Sequence, residues 1–577
     1  MKVLGHPVRA ARAVAGRRYG VEYTRISRGG PTGGSMNLRF ELPTPRADAV
    51  LAFASDKACG DWLRALPHSN PTAVQAQLRA QMALLPIAGL KPAVLFELAE
   101  CLREPVVRVQ SEMARKFSFR PLPLADAEAG VLEASLDLWR GLGVVYRVCV
   151  QSILDQEREL RQQSATVCQR ALDAHARLIL DIQCGGNEVP EQDWRLLHRL
   201  YRAAETSGVA ADKVKDALLE GVGATHCMAT YARPVLLSLG LPGEVAQRHL
   251  LSVAFWTERL ANRVTITSLP PAQPSKPPVL VDLDAGRGGF RPEDGAEIGS
   301  SQALRYLDIS DLAVAMKKRI HLLRKGETSA SLGLGEEGAL PTIEQTLILL
   351  YKHWGDGRVG REHPRRSVSG KALAVLGISG LHFYVSGKAF KQPGAASELT
   401  TRQIRAITAF GRGSMHDEDD SGMQGYSLDE WRILDESMIG LCLQRTTGTA
   451  GSRLSPGSLI GVKPSDARAF IVGSVRWVQM QAGGKLIAGV RTLPGAPQAV
   501  AVRPDGGAEA GEKYHPGLML PAVPALRAPS SVVVPAGWFR AGRILDVHAE
   551  SAWQIRLETI VDHIGDHDIC AYASLAA

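Results

Sequence analysis

Trp431-Arg-Ile-Leu-Asp-Glu-Ser-Met-Ile-Gly440, running on into Leu441-Cys-Leu443, is the stretch from which the fold can be read. Apolar residues stand on both sides of a short polar centre. Asp435 and Ser437 can bond nearby backbone, and Gly440 tolerates the left-handed conformations and close approaches that a turn demands. The pattern predicts a strand, a tight turn and a second strand. Further β-like segments follow at Leu459–Val462, Ala469–Met480, Lys485–Leu493 and Ala499–Val502, separated by Gly, Pro, Ser or Asp. Short strands at this spacing predict a small antiparallel barrel. Upstream, residues 367–386 alternate and are rich in Val, Leu, Phe and Tyr, which predicts the barrel's first β segment there. Downstream, β pattern around Val532–Val534, Arg543–Val547 and Trp553–Leu557 reads as an extension of the same barrel.

The N-terminal half has a different period. Between residues 56 and 266 apolar residues recur at steps of three and four, as in Leu132, Leu136, Trp139, Leu142, Tyr146, Val150 and Ile153. That spacing predicts amphipathic helices. The longest run starts near Asp126 and heads towards Ile182, with Gly141 and Gly143 arguing against one unbroken helix. Residues 267–300 are rich in Pro and Gly and read as a linker with one strand-like piece, Val279-Leu-Val-Asp-Leu283. A short helical unit follows at 301–354, carrying the basic residues Lys317, Lys318, Arg319, Arg324 and Lys325. The expected class is therefore α+β multidomain, an all-α N-terminal domain followed by an antiparallel barrel with a β extension. The expected divisions are a basic head at 1–35, a helical domain at 36–266, the linker, the helical unit, a barrel at 355–510 with an insertion at 387–428, and the extension at 511–577.

With 577 residues, 45% of them hydrophobic and 22% charged, the chain has the make-up of a globular protein of several domains. No run of about 18 apolar residues suggests a membrane span. Seven basic residues against Glu22 give residues 1–35 a net charge of +6, which leaves +2 of the total +8 for the rest. A body so nearly neutral is not that of a nucleic-acid-polymer binder. The head reads as disordered, with Met36 as the expected working start. Eight scattered cysteines without a C-x-x-C pair suggest buried free thiols in a reducing, cytoplasmic setting. His563 to Asp568 is expected to be a polar hairpin tip and His226-Cys227 a packed pair. Neither supplies a metal site or a catalytic couple, and no phosphate loop or Gly-x-Ser-x-Gly occurs. No enzyme, no cofactor and no metal are expected.

Arg361-Glu-His-Pro-Arg365, with Arg366 beside it, precedes the first β segment, and Asp435-x-Ser437-x-x-Gly440 lies between two later strands. Gly457-Ser-Leu-Ile-Gly-Val, Ser474-Val-Arg-Trp477 and Gly489-Val-Arg-Thr-Leu493 come after them. Together these resemble the PilZ family, small β-barrels that bind cyclic di-GMP, over about a quarter of the chain. The resemblance implies that Arg361, Arg365 and Arg366 reach the nucleotide from one flank. Asp435 and Ser437 would meet it from the other, and Gly440 would permit close backbone approach. The chemistry suits the ligand, because guanidinium groups bind phosphate or the guanine Hoogsteen edge bidentately and stack on bases. The chain departs from the family in spacing: Arg365 and Asp435 stand 70 positions apart, and acidic Asp417–Asp420 in the insertion could pair with the arginines instead. The expectation is a cyclic-di-GMP-responsive signalling protein that acts through its helical region on an unidentified protein partner. The alternative is a barrel of the same shape that serves as a ligand-independent scaffold.

Overall fold

The computed structural model describes residues 38–219, 222–239, 247–270, 278–292, 301–335, 340–356, 364–393, 426–447, 451–506 and 512–575. The first part is helical: α1 (Asp56–Arg64), α2 (Pro71–Leu84), α3 (Pro92–Ala114), α4 (Asp126–Leu154), α5 (Ser164–Cys184), α6 (Glu191–Thr206), α7 (Cys227–Leu239) and α8 (Gln247–Leu260). The run from Asp126 towards Ile182 is not one unbroken helix, but α4 passes straight through Gly141 and Gly143. Gly141 has a packing role: a Cβ on it would lie 3.0 Å from Cβ of Met82, so its absence lets α2 and α4 approach closely. The interruption falls instead at residues 155–163, between α4 and α5. His226 caps α7 by accepting the Ala229 amide on Nδ1 at 3.0 Å, and Cys227 beside it is buried.

The expected linker and helical unit turn out to belong to this domain. Strands β1 (Thr265–Thr267), β2 (Val279–Asp282) and β3 (Leu304–Asp308) form one antiparallel sheet in the order β1-β3-β2. Helices α9 (Ser310–Arg324) and α10 (Leu340–Tyr351) follow. Val281, Leu307, Met316, Leu347 and Trp354 join the same hydrophobic core as Leu98, Trp139 and Leu236. Composition suggested a boundary at 267 because Pro and Gly are frequent there. Burial removes it, since the apolar faces on both sides cover each other.

A charged network crosses the helical core. Arg103 donates to Asp173 and Asp216 at 2.7 Å each, and Arg233 bridges Asp173 and Glu258. Burial alone would raise the Asp173 carboxyl, but Arg177, Arg103 and Arg233 outweigh it and hold the group well below the usual range.

Two barrels, not one with an extension, make up the C-terminal part. The first closes β4 (Arg366–Leu376), β5 (Asp429–Ser437), β6 (Gly440–Thr446), β7 (Leu459–Pro464), β8 (Ile471–Gln481) and β9 (Lys485–Thr492) in the order β4-β5-β6-β9-β8-β7. The second closes β10 (Gln498–Pro504), β11 (His515–Leu520), β12 (Ser531–Pro535), β13 (Ile544–His548), β14 (Ala552–Ile564) and β15 (His567–Ser574) in the order β10-β11-β12-β15-β14-β13. Strand β10, which the sequence reading gave to the first barrel, pairs with β11 and β13 and so starts the second. The boundary expected at 510 therefore moves upstream of Gln498. Residues 377–386 form a helix, α11 (Gly377–Ser386), rather than continuing the first strand. Ile378, Leu381 and Val385 pack into an apolar layer between the barrels, with Leu459 and Val472 on one side and Leu518 and Leu520 on the other. Gly461 makes room for this helix, since a Cβ there would lie 2.2 Å from Leu381.

The helical domain grips the first barrel at one joint. Leu122 and Leu454 exchange backbone hydrogen bonds of 2.7 Å in both directions. The fully buried Leu122 side chain joins the barrel's interior core, beside Leu443, Val475 and Leu486. Next to it the Met480 amide donates to the Gly186 carbonyl and the Glu188 amide to the Met480 carbonyl, both at 2.8 Å. Gly186 is required here: its φ is +73°, and a Cβ would lie 2.5 Å from Leu122 Cδ1.

Two histidines of the helical core are held neutral. Burial lowers His175 and His198 to about 4, although each ring Nε2 donates to a backbone carbonyl, of Asp193 and Arg287 respectively. Below an unfolded pKa near 6.5 the unfolded chain takes up protons that the folded chain refuses. Stability therefore falls as the pH drops from about 6.5 towards 4. At pH 5 each histidine is expected to contribute a loss of about 2 kcal/mol. Urea midpoints measured at pH 7 and pH 5 should show a smaller acid-induced drop for His198→Gln than for the wild type.

Candidate functional site

The outer wall of the first barrel carries the predicted residues, and strand register places them. Antiparallel pairing sets Arg366 opposite Glu436 and Ser367 opposite Asp435 across β4 and β5. The β5–β6 hairpin turns at Met438-Ile439 and pairs Ser437 with Gly440 and Asp435 with Cys442. The row continues across β9, where Gly440 faces Arg491 and Cys442 faces Gly489, and reaches β8, where Gly489 faces Trp477. Leu441, Leu443 and Val490 point into the barrel, so Gly440, Cys442, Gly489 and Arg491 alternate outward.

Arg365, on the segment entering β4, returns to this wall. Its guanidinium donates to the Asp435 carboxylate at 2.6 Å, joining residues 70 positions apart, and both side chains are about 30% exposed. Arg366, far more exposed, pairs with Glu436 at 2.5 Å. Asp435 is thus a strand residue held by an arginine rather than the turn-capping residue its spacing suggested. A bulge between Ile433 and Asp435 sets it on the outer face. Ser437 reaches back to the Gly440 carbonyl at 3.5 Å, a weak bond that leaves its hydroxyl available. Gly440 has no positive φ, so the expected conformational role does not apply. A Cβ on it would sit 3.3 Å from both Ser437 Oγ and the Val490 carbonyl, and bare backbone at this point keeps the wall low. Arg361 and Asp417–Asp420 lie outside the described residues.

Three residues that the motif reading did not assign complete the surface. Exposed Arg491 stands opposite Gly440 and forms no ion pair among the described residues. The Trp477 indole lies directly over Gly489, where a Cβ would meet Nε1 at 2.0 Å. Cys442 lies between Asp435 and Gly489, and burial, helped by Asp435, pushes its thiol up to about 11. A thiol so poised is protonated at neutral pH and is no nucleophile. Arg491 lies in the Gly489–Leu493 segment quoted for the resemblance, but only the register shows that it faces Gly440.

The wall can therefore offer guanidinium donors from Arg365 and Arg491, with Arg366 beside them at the strand end, a hydroxyl, a carboxylate, bare glycine backbone and the edge of an indole. Arg365 uses one bond on Asp435 and keeps its remaining N–H donors. This is an anion- and base-binding set. Among the described residues no group of three His, Cys, Asp or Glu side chains could hold a metal ion. His563 instead bonds Asp568 at 2.7 Å next to the β14–β15 turn.

Known proteins share both halves of the chain. Residues 57–273 match the family described as "Cyclic-di-GMP receptor FimW, N-terminal domain", and residues 500–575 match "FimW C-terminal beta-barrel domain". The Cyclic-di-GMP receptor FimW of Pseudomonas aeruginosa is 23% identical over 561 residues, covering 89% of this chain and 90% of its own length. Two matched domains in the same order and a relative aligned almost end to end make this chain similar to cyclic-di-GMP receptors with a C-terminal β-barrel.

Proposed function

We propose that this chain is a cytoplasmic, non-enzymatic signalling protein that binds cyclic di-GMP on the outer wall of the first barrel and passes the signal through its helical domain to a protein partner. One observation carries the reading: the β4–β5 register brings Arg365 onto Asp435, so both halves of the resemblance meet at one surface. The relative's own description as a cyclic-di-GMP receptor supports it. In this reading Arg361, Arg365 and Arg366 hold phosphate or guanine from the β4 side. Asp435 and Ser437 contact the nucleotide from β5, while Gly440 lets the ring approach the backbone. Arg491 adds a phosphate donor and Trp477 an aromatic edge. Each charge-assisted bond is worth about 1.5–3 kcal/mol.

In this reading the route of transmission follows β8. Trp477 borders the site, and three residues on, roughly 10 Å along the strand, Met480 is hydrogen-bonded to Gly186 and Glu188 of the helical domain. A nucleotide that reorders the Trp477 wall acts on the strand that holds the joint. No helix among the described residues is long and apolar enough to cross a membrane, which fits a partner met without insertion.

Calorimetric titration of the purified chain with cyclic di-GMP tests the reading. Binding is expected, and Arg365→Ala or Asp435→Ala should weaken it by about tenfold or more. Absence of binding, with the barrel folded, would leave the scaffold alternative. Hydrogen exchange tests the route separately. Nucleotide should slow exchange at the Met480 and Glu188 amides, and Leu122→Ala should abolish that response while leaving nucleotide affinity within about threefold. Unchanged exchange at both amides in the wild type would sink the β8 route without touching the binding claim.

A further inference from the structure

A second cationic surface lies on the same barrel wall, at the other end of its strands. A groove of about 550 Å³ crosses the outer faces of β7, β4, β5, β6 and β9. Lys463, Lys371, Arg432 and Lys485 line it from β7, β4, β5 and β9 respectively, and Leu373, 37% exposed, lies on β4 opposite Lys463. Glu430 is the one acidic residue lining it. None of the four cations forms an ion pair with a described residue; Arg432 donates only to the Ser369 hydroxyl, at 3.3 Å. Four cations gathered around a single carboxylate oppose one another, and a surface that keeps them is complementary to an anionic partner.

The spacing decides which anion. From β7 to β9 the cations span four inter-strand gaps, roughly 19 Å. One phosphate or small dicarboxylate reaches two of them at most. An extended segment of about six residues covers that distance and can place carboxylates at alternate positions. Among the residues lining the groove the one aromatic is Trp431, and it packs inside the barrel rather than outward to stack a base. Apolar Leu373 offers a contact that a peptide side chain can use and a free phosphate cannot.

We propose that this groove is a docking site for an acidic, partly apolar peptide segment of a protein partner. It stands apart from the nucleotide site: Arg432 is three residues from Asp435 on β5, with the bulge between them. The inference does not depend on nucleotide binding at Asp435.

The test measures fluorescence anisotropy of a fluorescein-labelled ten-residue peptide of alternating glutamate and leucine, titrated with the full chain at about 50 mM salt. Reversing two groove positions, exposed Lys371→Glu with half-buried Lys463→Glu, should weaken binding by about tenfold or more. Reversing Lys317→Glu with Lys318→Glu on α9 should leave it within about twofold, and a serine–leucine peptide should not bind. Circular dichroism of the groove variant is expected to match the wild type; should that variant misfold, Lys485→Ala serves in its place, with a loss of about threefold expected. Equal binding by wild type and the folded groove variants would overturn the proposal. So would an equal loss in the α9 variant, which would mean general attraction to basic surface. Competitive displacement of the peptide by cyclic di-GMP, with loss of nucleotide affinity in the groove variant, would assign the groove to the nucleotide and also overturn it.

Discussion

The architecture depends on a leucine from the helical domain seated inside a β-barrel. Leu122 is fully buried among the barrel's own core residues, and its backbone is paired in both directions with Leu454. Burying such a side chain contributes about 1.5–3 kcal/mol, and the four short backbone hydrogen bonds around it fix orientation as well as energy. Gly186 is the companion constraint, because its missing Cβ allows the helical domain to close on Leu122 and to bond Met480. A barrel held in this way is not free to tumble at the end of a tether. A change in strand β8 must be matched in the loop that follows α5.

That coupling gives the neighbouring surface its meaning. The Arg365–Asp435 pair is about a third exposed, and pairs of that kind are worth roughly 0–1 kcal/mol. It is strong enough to aim the guanidinium yet weak enough to yield to a phosphate diester, whose charge-assisted bonds are worth more. In the proposed reading the internal ion pair is a placeholder for the anion rather than a barrier to it. The arginine stays on the surface, held by a carboxylate that is itself fixed in a strand.

What could be read from the sequence was what local pattern encodes. The β5–β6 hairpin showed because apolar alternation flanks Asp435, Ser437 and Gly440, and the helical half showed through its three-and-four spacing. The pairing of Arg365 with Asp435 was foreseeable only through the order of two motifs. Helix α11 was misread as strand because Gly377 to Ser386 is apolar on nearly every side, although Ile378, Leu381 and Val385 do keep helical spacing. The second barrel was invisible for a different reason. Its strands look like those of the first, and only the pairing of Ala501 with His548, 47 positions on, closes it. Non-local closure leaves no local mark. Arg491 and Leu122 were missed likewise: one becomes relevant through register, the other through a tertiary insertion that Pro121-Leu-Pro-Leu124 does not announce.

The two cationic zones on the first barrel also differ in how they are balanced. Near the β5–β6 turn, Arg365 and Arg366 each have a carboxylate, so the local field is modest and a ligand is chosen by geometry. At the opposite end of the strands Lys371, Arg432, Lys463 and Lys485 face one glutamate, so long-range attraction dominates and shape matters less. The first arrangement suits a small, rigid anion recognised by several directed bonds. The second suits a flexible anionic chain captured first by field and then by contact. Strand β5 runs through both zones and carries Asp435 at one end and Arg432 nearer the other, with a bulge between them where the strand can adjust. In the two proposed readings the barrel holds anionic partners of different chemistry on one continuous wall while its interior remains locked around Leu122.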